Sequence, residues 1–501
     1  MTETRASYHR ILKSTSIIGG ASFINIAIGI LRSKVLAVIL GPAGVGLASL
    51  YNGLMLTAST VATFGIGPIG TRQIAEAAGK KEAHALIVAR RAMFWGTLAL
   101  ALAGAFVMWS LRAFLAAHAL NNTADSGVVG WLAIGVALTV AGASQTALIQ
   151  GMRRIGDIAR LNVTGSILAT AAGITILLKW GKQGLVAYVL IAPLATFLVG
   201  HYFVSRLPKE ENQPVRIKEL AHEWTIFLRL GLAMVGAGVV QSLAQLWIRI
   251  DVAKVLGTQS LGQYQAAWSI SMQYVTFVLA AMGTDYYPRL TMLVNDQQAA
   301  SLLVNEQTEI ATLLSAPVFI GMMALAPWVI HLLYASSFAP AIEILRWQVL
   351  GDIFKVASWP LGFVLLAAGD GRTYFLTEAF AWLIPTVLIQ WLAPKAGLPI
   401  TGIAYLIGYA AYLALVYWLA RRRIAFRWSR PVLIFSATTL VICALAGFAS
   451  VATPWGMLLG TVAAIGVAIF SAVRITRKSY LGGTVGRIGS TAQRFFRGSG
   501  T

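Results

Sequence analysis

Three short clusters of charge stand in stretches that are otherwise apolar. "LRSKVL" carries Arg32 and Lys34, "WIRIDVAKVLG" carries Arg249, Asp251 and Lys254, and "EILRWQVLGDIFKVASWP" carries Glu343, Arg346, Asp352 and Lys355. Glu378 is a lone acid in another apolar window, with Arg372 the nearest cation on its own segment. Guanidinium and ammonium groups bind phosphate oxygens, arginine often through paired hydrogen bonds. Carboxyls shielded from water can exchange protons, with an affinity set by burial and by neighbouring charge. Arg32, Lys34, Arg249, Lys254, Arg346 and Lys355 are therefore candidate substrate-binding residues for an anionic ligand. Asn25 and Gln241, which occupy equivalent places in the two halves described below, complete that set. Asp251, Asp352 and Glu378 are candidate ion-coupling residues. No catalytic residue is indicated. Six histidines lie without metal-ligand spacing, so no metal is expected, and the single Cys443 reads as a buried free thiol. "FGIGPIG" follows no strand and lacks the Lys-Ser/Thr ending of a phosphate loop, so no nucleotide or other cofactor is expected.

These charges must be positioned by membrane elements. The 501 residues are 57% hydrophobic and 11% charged, with a mean hydropathy of +0.73, which excludes an ordinary soluble domain. Continuous apolar windows, rather than alternating ten-residue strands, indicate an all-α integral membrane protein. At roughly 20 residues per crossing, about fourteen spans fit. A charge at the bilayer centre costs about 2.5–3.5 kcal/mol on insertion scales, so it normally faces a partner or an aqueous cavity. Asp251 with Lys254, and Asp352 with Lys355, are three apart and could neutralise one another on a helix face, and cations near a span's end can snorkel to headgroups. The surplus of cations over acids favours an anion-attracting surface.

Most of the 39 Lys and Arg fall in loops on one side if the N-terminus is cytoplasmic, which puts both termini inside. The apolar segment after Arg5, Arg10 and Lys13 is too long for a signal peptide and reads as a retained first span. The net charge of +21 is concentrated in such loops, in "ARRRIAFRWSR" and in the tail. Topology and anionic membrane lipids account for it, and no nucleic-acid partner is expected.

The chain repeats itself. Laying "LRSKVLAVILGPAGVGLASL" over "WIRIDVAKVLGTQSLGQYQA", a shift of 216 residues, pairs Leu40 with Leu256, Gly41 with Gly257 and Gly46 with Gly262; the same offset pairs Asn25 with Gln241 and Gly67 with Gly283. The polar stretch "SRLPKEENQPVRIKELAHE" follows the sixth span. The expected organisation is an N-terminal lobe at 1–205, a cytoplasmic linker at 206–223 and a C-terminal lobe at 224–420. Two extra helices at 421–474 and a basic cytoplasmic tail at 475–501 complete the chain. Six spans is an even number, so the lobes are parallel repeats related by a pseudo-two-fold along the membrane normal, with a substrate site between them.

"LGPAGVGLASL", "TDYYPRLT", "VNEQTEIATLLSAP" and above all "LLYASSFAPAIEILRWQVLGDIFKVASWPLGFVLLAAGDG" resemble the Wzx-type O-antigen translocases. These belong to the multidrug/oligosaccharidyl-lipid/polysaccharide exporter superfamily, together with lipid II flippases and MATE drug antiporters. The resemblance implies two six-helix lobes around a central cavity in the bacterial inner membrane. It implies flipping of an undecaprenyl-pyrophosphate-linked glycan by alternating access, with a glycan polymerase and other assembly proteins as partners in lipopolysaccharide synthesis. A MATE-like drug or cation antiporter is the alternative, against which the excess of Arg and Lys counts. A membrane glycan polymerase or ligase is a further alternative, disfavoured by the short outer loops.

Overall fold

The computed structural model describes residues 2–79, 83–121, 125–208 and 214–481. Its regular elements are helices: α1 (Thr2–Thr63), α2 (Ile66–Gly79), α3 (Ala83–Ser110), α4 (Arg112–Ala119), α5 (Ser126–Gly151), α6 (Ile155–Trp180), α7 (Leu185–Ser205), α8 (Ile217–Leu293), α9 (Gln297–Leu333), α10 (Ala341–Ala367), α11 (Gly371–Ala396), α12 (Ile400–Ile424), α13 (Arg430–Ala452) and α14 (Gly456–Leu481). Lipid offers no hydrogen bonds, so each apolar segment must satisfy its backbone within itself, which a helix does. Among the described residues ten segments are long and apolar enough to cross a membrane, and the chain is a multi-pass membrane protein. The expected tail is described only to Leu481, and residues 209–213 of the expected linker lie outside the described residues.

Two glycines that the sequence offset pairs mark matching breaks in the backbone. α1 and α8 are each long enough for two crossings. Each is broken at one residue, α1 at Gly41 (φ 64°, ψ −170°) and α8 at Gly257 (φ 87°, ψ 163°). A side chain is strained at such positive φ, so glycine is required at both equivalent places.

The chain forms two compact units. The first comprises Met1–Gly262 with Leu333–Ser337 and so takes in α1 to α7 and the part of α8 through Gly262. Within it, α1 and α8 touch backbone to backbone. A Cβ on Gly46 would collide with the Thr258 carbonyl, and one on Gly262 with the Pro42 carbonyl. Between helices in lipid the hydrophobic effect contributes little, and close approach through small residues supplies the packing instead. Further along the same two helices, Thr57 Oγ1 donates to the Ser242 carbonyl at 3.2 Å. The beginning of α8 is held on α2 and α3: Trp224 Nε1 donates to the Ala92 carbonyl at 3.0 Å, and Gln73 Nε2 to Glu223 Oε2 at 3.0 Å.

The second unit comprises Gln263–Leu332 with Phe338–Thr501. Its centre is the pair α10 and α12, again brought together at glycine: a Cβ on Gly351 would stand 2.6 Å from the Tyr405 ring, and one on Gly402 2.7 Å from Trp347 Cβ. α10 runs on through Pro360, whose carbonyl accepts from Tyr286 Oη at 2.8 Å. The extra pair α13 and α14 is bound in at two places. Arg474 Nη2 lies 2.7 Å from the buried Glu309 carboxylate on α9, and Arg346 Nη2 donates to Ser450 Oγ on α13 at 2.6 Å. Asn305 fastens the connection before α13, donating to the Arg427 carbonyl at 3.0 Å and accepting from the Ser429 amide at 2.8 Å. Cys443 is a buried free thiol on α13.

Candidate functional site

Candidate residues fall in two polar sites, one in each unit. In the first unit, α1, α6 and α7 line an open cavity of about 300 Å³ formed by Asn25, Arg32, Asn162, Ser166 and Thr196, with Gly165, Ala169 and Ala192. No acid contributes to this lining. Arg32 is fixed from behind: its Nε donates to Tyr188 Oη at 3.0 Å, and its guanidinium carbon sits 4.7 Å from the centre of the Tyr188 ring, a cation–π contact. Tyr188 is 3% exposed, so it forms a rigid seat for the arginine. Asn25 Oδ1 is buried and accepts no hydrogen bond among the described residues.

The remaining basic candidates of this unit occupy separate places. Lys34 Nζ donates to the Tyr334 carbonyl. Arg249 lays its stem against Gly53, where a Cβ would come 3.3 Å from its Cδ, and its Nη2 reaches Gln245 Oε1 at 3.5 Å. Asp251 Oδ2 is a buried oxygen with no hydrogen-bond partner among the described residues. Lys254 and Gln241 are exposed on α8. The first unit thus brings Asn25 and Arg32 together in one cavity, and neither Lys34 nor Gln241 is among its lining residues.

The second site is a buried polar network built on α10. Asp352 is fully buried and its carboxylate accepts three hydroxyls: Ser271 Oγ at 2.7 Å, Tyr274 Oη at 2.6 Å and Tyr405 Oη at 2.6 Å. Lys355, one helical turn on, does not form an ion pair with it. Its Nζ lies 3.4 Å from Tyr405 Oη and 5.2 Å from the centre of the Tyr409 ring. Glu378 on α11 accepts from Tyr412 Oη at 2.6 Å. Although no cation stands near Glu378 on its own helix, Lys355 of α10 is within electrostatic reach of both Glu378 and Asp352. The tyrosines of α12 link these groups, with ring centres 4.7 Å apart for Tyr405 and Tyr409 and 6.2 Å apart for Tyr409 and Tyr412. Gln348, one turn before Asp352, is also fully buried, and both its amide atoms lack hydrogen-bond partners among the described residues. Arg346 stands apart from this network, engaged with Ser450.

The charge pattern marks neither the hydroxyls nor the amides of Asn162 and Gln348 that complete the two sites. One signal was available: Tyr405, Tyr409 and Tyr412 fall at i, i+4 and i+7, a single face of a helix. Nothing comparable marks Asn162, Ser166, Thr196 or Tyr188. Among the described residues no group of His, Cys, Asp and Glu could hold a metal ion.

Comparison with known proteins places this arrangement. The chain is 25% identical over 425 residues to the lipid III flippase of Escherichia coli (strain K12), covering 82% of this chain and 99% of that protein. It is 25% identical over 265 residues to the succinoglycan biosynthesis transport protein ExoT of Rhizobium meliloti (strain 1021), covering 52% of this chain and 50% of that one. In fold it is similar to the lipid II flippase MurJ in an inward closed conformation, with a TM-score of 0.68 at 14% identity, over 92% of this chain and 99% of that one. It is also similar to an inward-facing MATE transporter of the MOP superfamily, with a TM-score of 0.66 at 15% identity, over 81% of this chain and 98% of that one. The fold is therefore that of the MOP transporters. The model of the polysaccharide biosynthesis protein family matches residues 35–343, a stretch that runs from the broken helix α1 into α10, and the chain belongs to that family.

Proposed function

We propose that the protein is a flippase that carries an undecaprenyl-pyrophosphate-linked oligosaccharide from the cytoplasmic to the periplasmic leaflet of a bacterial inner membrane. It works by alternating access of two lobes, 1–205 and 224–420, with both termini cytoplasmic. The observation that carries this reading is the alignment with lipid III flippase along 99% of that protein. The acid-free lining of the Arg32 cavity supports it, because a drug-cation antiporter needs acids where its cargo sits, whereas an anionic cargo needs the reverse. Lys34, Arg249 and Lys254 take the pyrophosphate through charge-assisted contacts, weak enough individually to let it go, and Arg32 takes a further anionic group of the cargo. Asp352 and Glu378, together with Asp251, couple the step to an ion gradient. Anionic lipids hold the basic cytoplasmic loops, and a glycan polymerase receives the product.

The test uses purified protein in vesicles carrying a fluorescent lipid-linked oligosaccharide on both leaflets, with a membrane-impermeant quencher outside. Wild-type protein should bring nearly all of the label within reach of the quencher, whereas protein-free vesicles leave about half protected. Arg249→Ala and Lys254→Ala should each lower the rate at least tenfold and abolish surface glycan in a complemented cell at unchanged membrane abundance. Full activity in both variants would remove these residues from the cargo path, and movement of a drug cation but no lipid-linked glycan would favour the antiporter.

A further inference from the structure

The Arg32 cavity has the wrong balance of groups for a pyrophosphate and the right one for a sugar. Its lining offers one cation, although a pyrophosphate carries more than one negative charge. Its other polar groups are two amides and two hydroxyls, from Asn25, Asn162, Ser166 and Thr196. Two of these groups can accept from a donor on the ligand, and one of them is unmet. Asn25 Oδ1 is buried without a partner, and an unmet buried acceptor costs free energy until something donates to it. The Thr196 hydroxyl gives its proton to the Ala192 carbonyl at 3.0 Å, so it presents lone pairs. A deprotonated phosphate has no hydrogen to give either group, whereas a sugar hydroxyl has one. Arg32, with Nε committed to Tyr188, keeps its two terminal nitrogens, a fork that matches a single carboxylate.

We propose that this cavity is a subsite for one sugar ring that carries a carboxylate, a hexuronate-type residue of the glycan, with the carboxylate on Arg32 and ring hydroxyls on Asn25, Asn162 and Thr196. The assignment rests on the flippase reading and narrows its cargo to an acidic glycan. It gives Arg32 to the sugar and leaves the pyrophosphate to Lys34, Arg249 and Lys254.

Full-length protein in nanodiscs would be examined by saturation-transfer NMR with three probes: methyl glucuronide, methyl glucoside and inorganic pyrophosphate. Methyl glucuronide should bind, methyl glucoside should bind at least tenfold more weakly, and pyrophosphate should fail to displace the glucuronide. Asn162→Leu and the isosteric Thr196→Val should each weaken glucuronide binding about tenfold, the equivalent of one lost hydrogen bond to a polar ligand. Tyr188→Phe, which keeps the ring and frees Arg32 Nε, should weaken it less than either. Displacement by pyrophosphate, equal binding of the two glycosides, or unchanged binding in both Asn162→Leu and Thr196→Val would overturn the proposal. The flipping assay separates the two levels. Transport of lipid-linked glycan without glucuronide binding defeats the subsite and leaves the flippase reading standing. Glucuronide binding without transport of any lipid-linked glycan upholds the subsite and defeats that reading.

Discussion

At the scale of single residues, Asp352 illustrates what a carboxylate needs inside an apolar unit. Its hydrogen bonds come from residues 81, 78 and 53 positions away in the chain. A buried acceptor left short of a donor costs about 1–3 kcal/mol, and hydrogen bonds to charged groups lie at the upper end of that range. Tyr405→Phe removes one donor while keeping a ring that fits beside Gly351, so it should lower stability by about 1.5–3 kcal/mol and visibly reduce the unfolding temperature in detergent. Tyr274→Phe should do the same, and the double variant should lose less than the sum, because both hydroxyls serve one carboxylate. Additive losses would mean that the two tyrosines act independently of Asp352. The acid itself was legible in the sequence as a costly residue in an apolar window. Its partners were not, because hydroxyl residues are common in membrane helices and only the packing of α8 and α12 on α10 selects these three.

At the scale of elements, the helices and their breaks were the most legible part, because apolar length and a positive-φ glycine are local properties. Gly41 and Gly257 stand out from sequence alignment of the two halves and are where α1 and α8 break. The contact between Gly46 and Gly262 follows from tertiary packing, yet the repeat already marks both residues. Adding a methyl at either place forces the α1 and α8 backbones apart, an overpacking cost of about 1–3 kcal/mol. Gly46→Ala and Gly262→Ala should each lower the unfolding temperature, and the double variant should fall little further, since the first methyl has already opened the seam. Losses that simply add would show that the glycines do not share one contact. A second element-level prediction concerns Asp370, the N-cap of α11, which accepts from the Thr373 amide at 3.1 Å and pairs with Arg423. The bonds from Thr373, and then Arg423, hold its carboxyl below the usual carboxylate value of about 3.9. A pKa lowered by folding gives stability that is complete above the ordinary value and lost as pH falls below it. Asp370→Ala should therefore unfold at lower temperature than wild type at pH 7, with the gap narrowing as pH drops below about 3.9. A gap that stays constant from pH 7 to pH 3 would assign the effect to packing instead.

At the scale of the whole molecule, flipping a large polar headgroup needs a source of direction. In the proposed function that direction comes from consumption of the product outside or from an ion gradient. Among the three acids proposed for coupling, Glu378 has the environment least visible in the sequence. Neighbours on its own helix suggested isolation, whereas folding brings it the Tyr412 hydroxyl and the field of Lys355. That arrangement makes the test cleaner. In Glu378→Gln the amide oxygen still accepts from Tyr412, so the fold is kept while proton exchange is removed. Wild-type protein in vesicles should flip labelled lipid-linked glycan several-fold faster when a pH gradient is imposed, and Glu378→Gln should flip at one rate with and without the gradient. The Asp352→Asn variant discriminates further, since it alters the neighbouring network but leaves Glu378 able to titrate. If it remains gradient-sensitive while Glu378→Gln does not, coupling belongs to Glu378. If both respond as wild type does, the gradient acts elsewhere in the molecule, and the buried network of the second unit serves to hold α10, α11 and α12 in register.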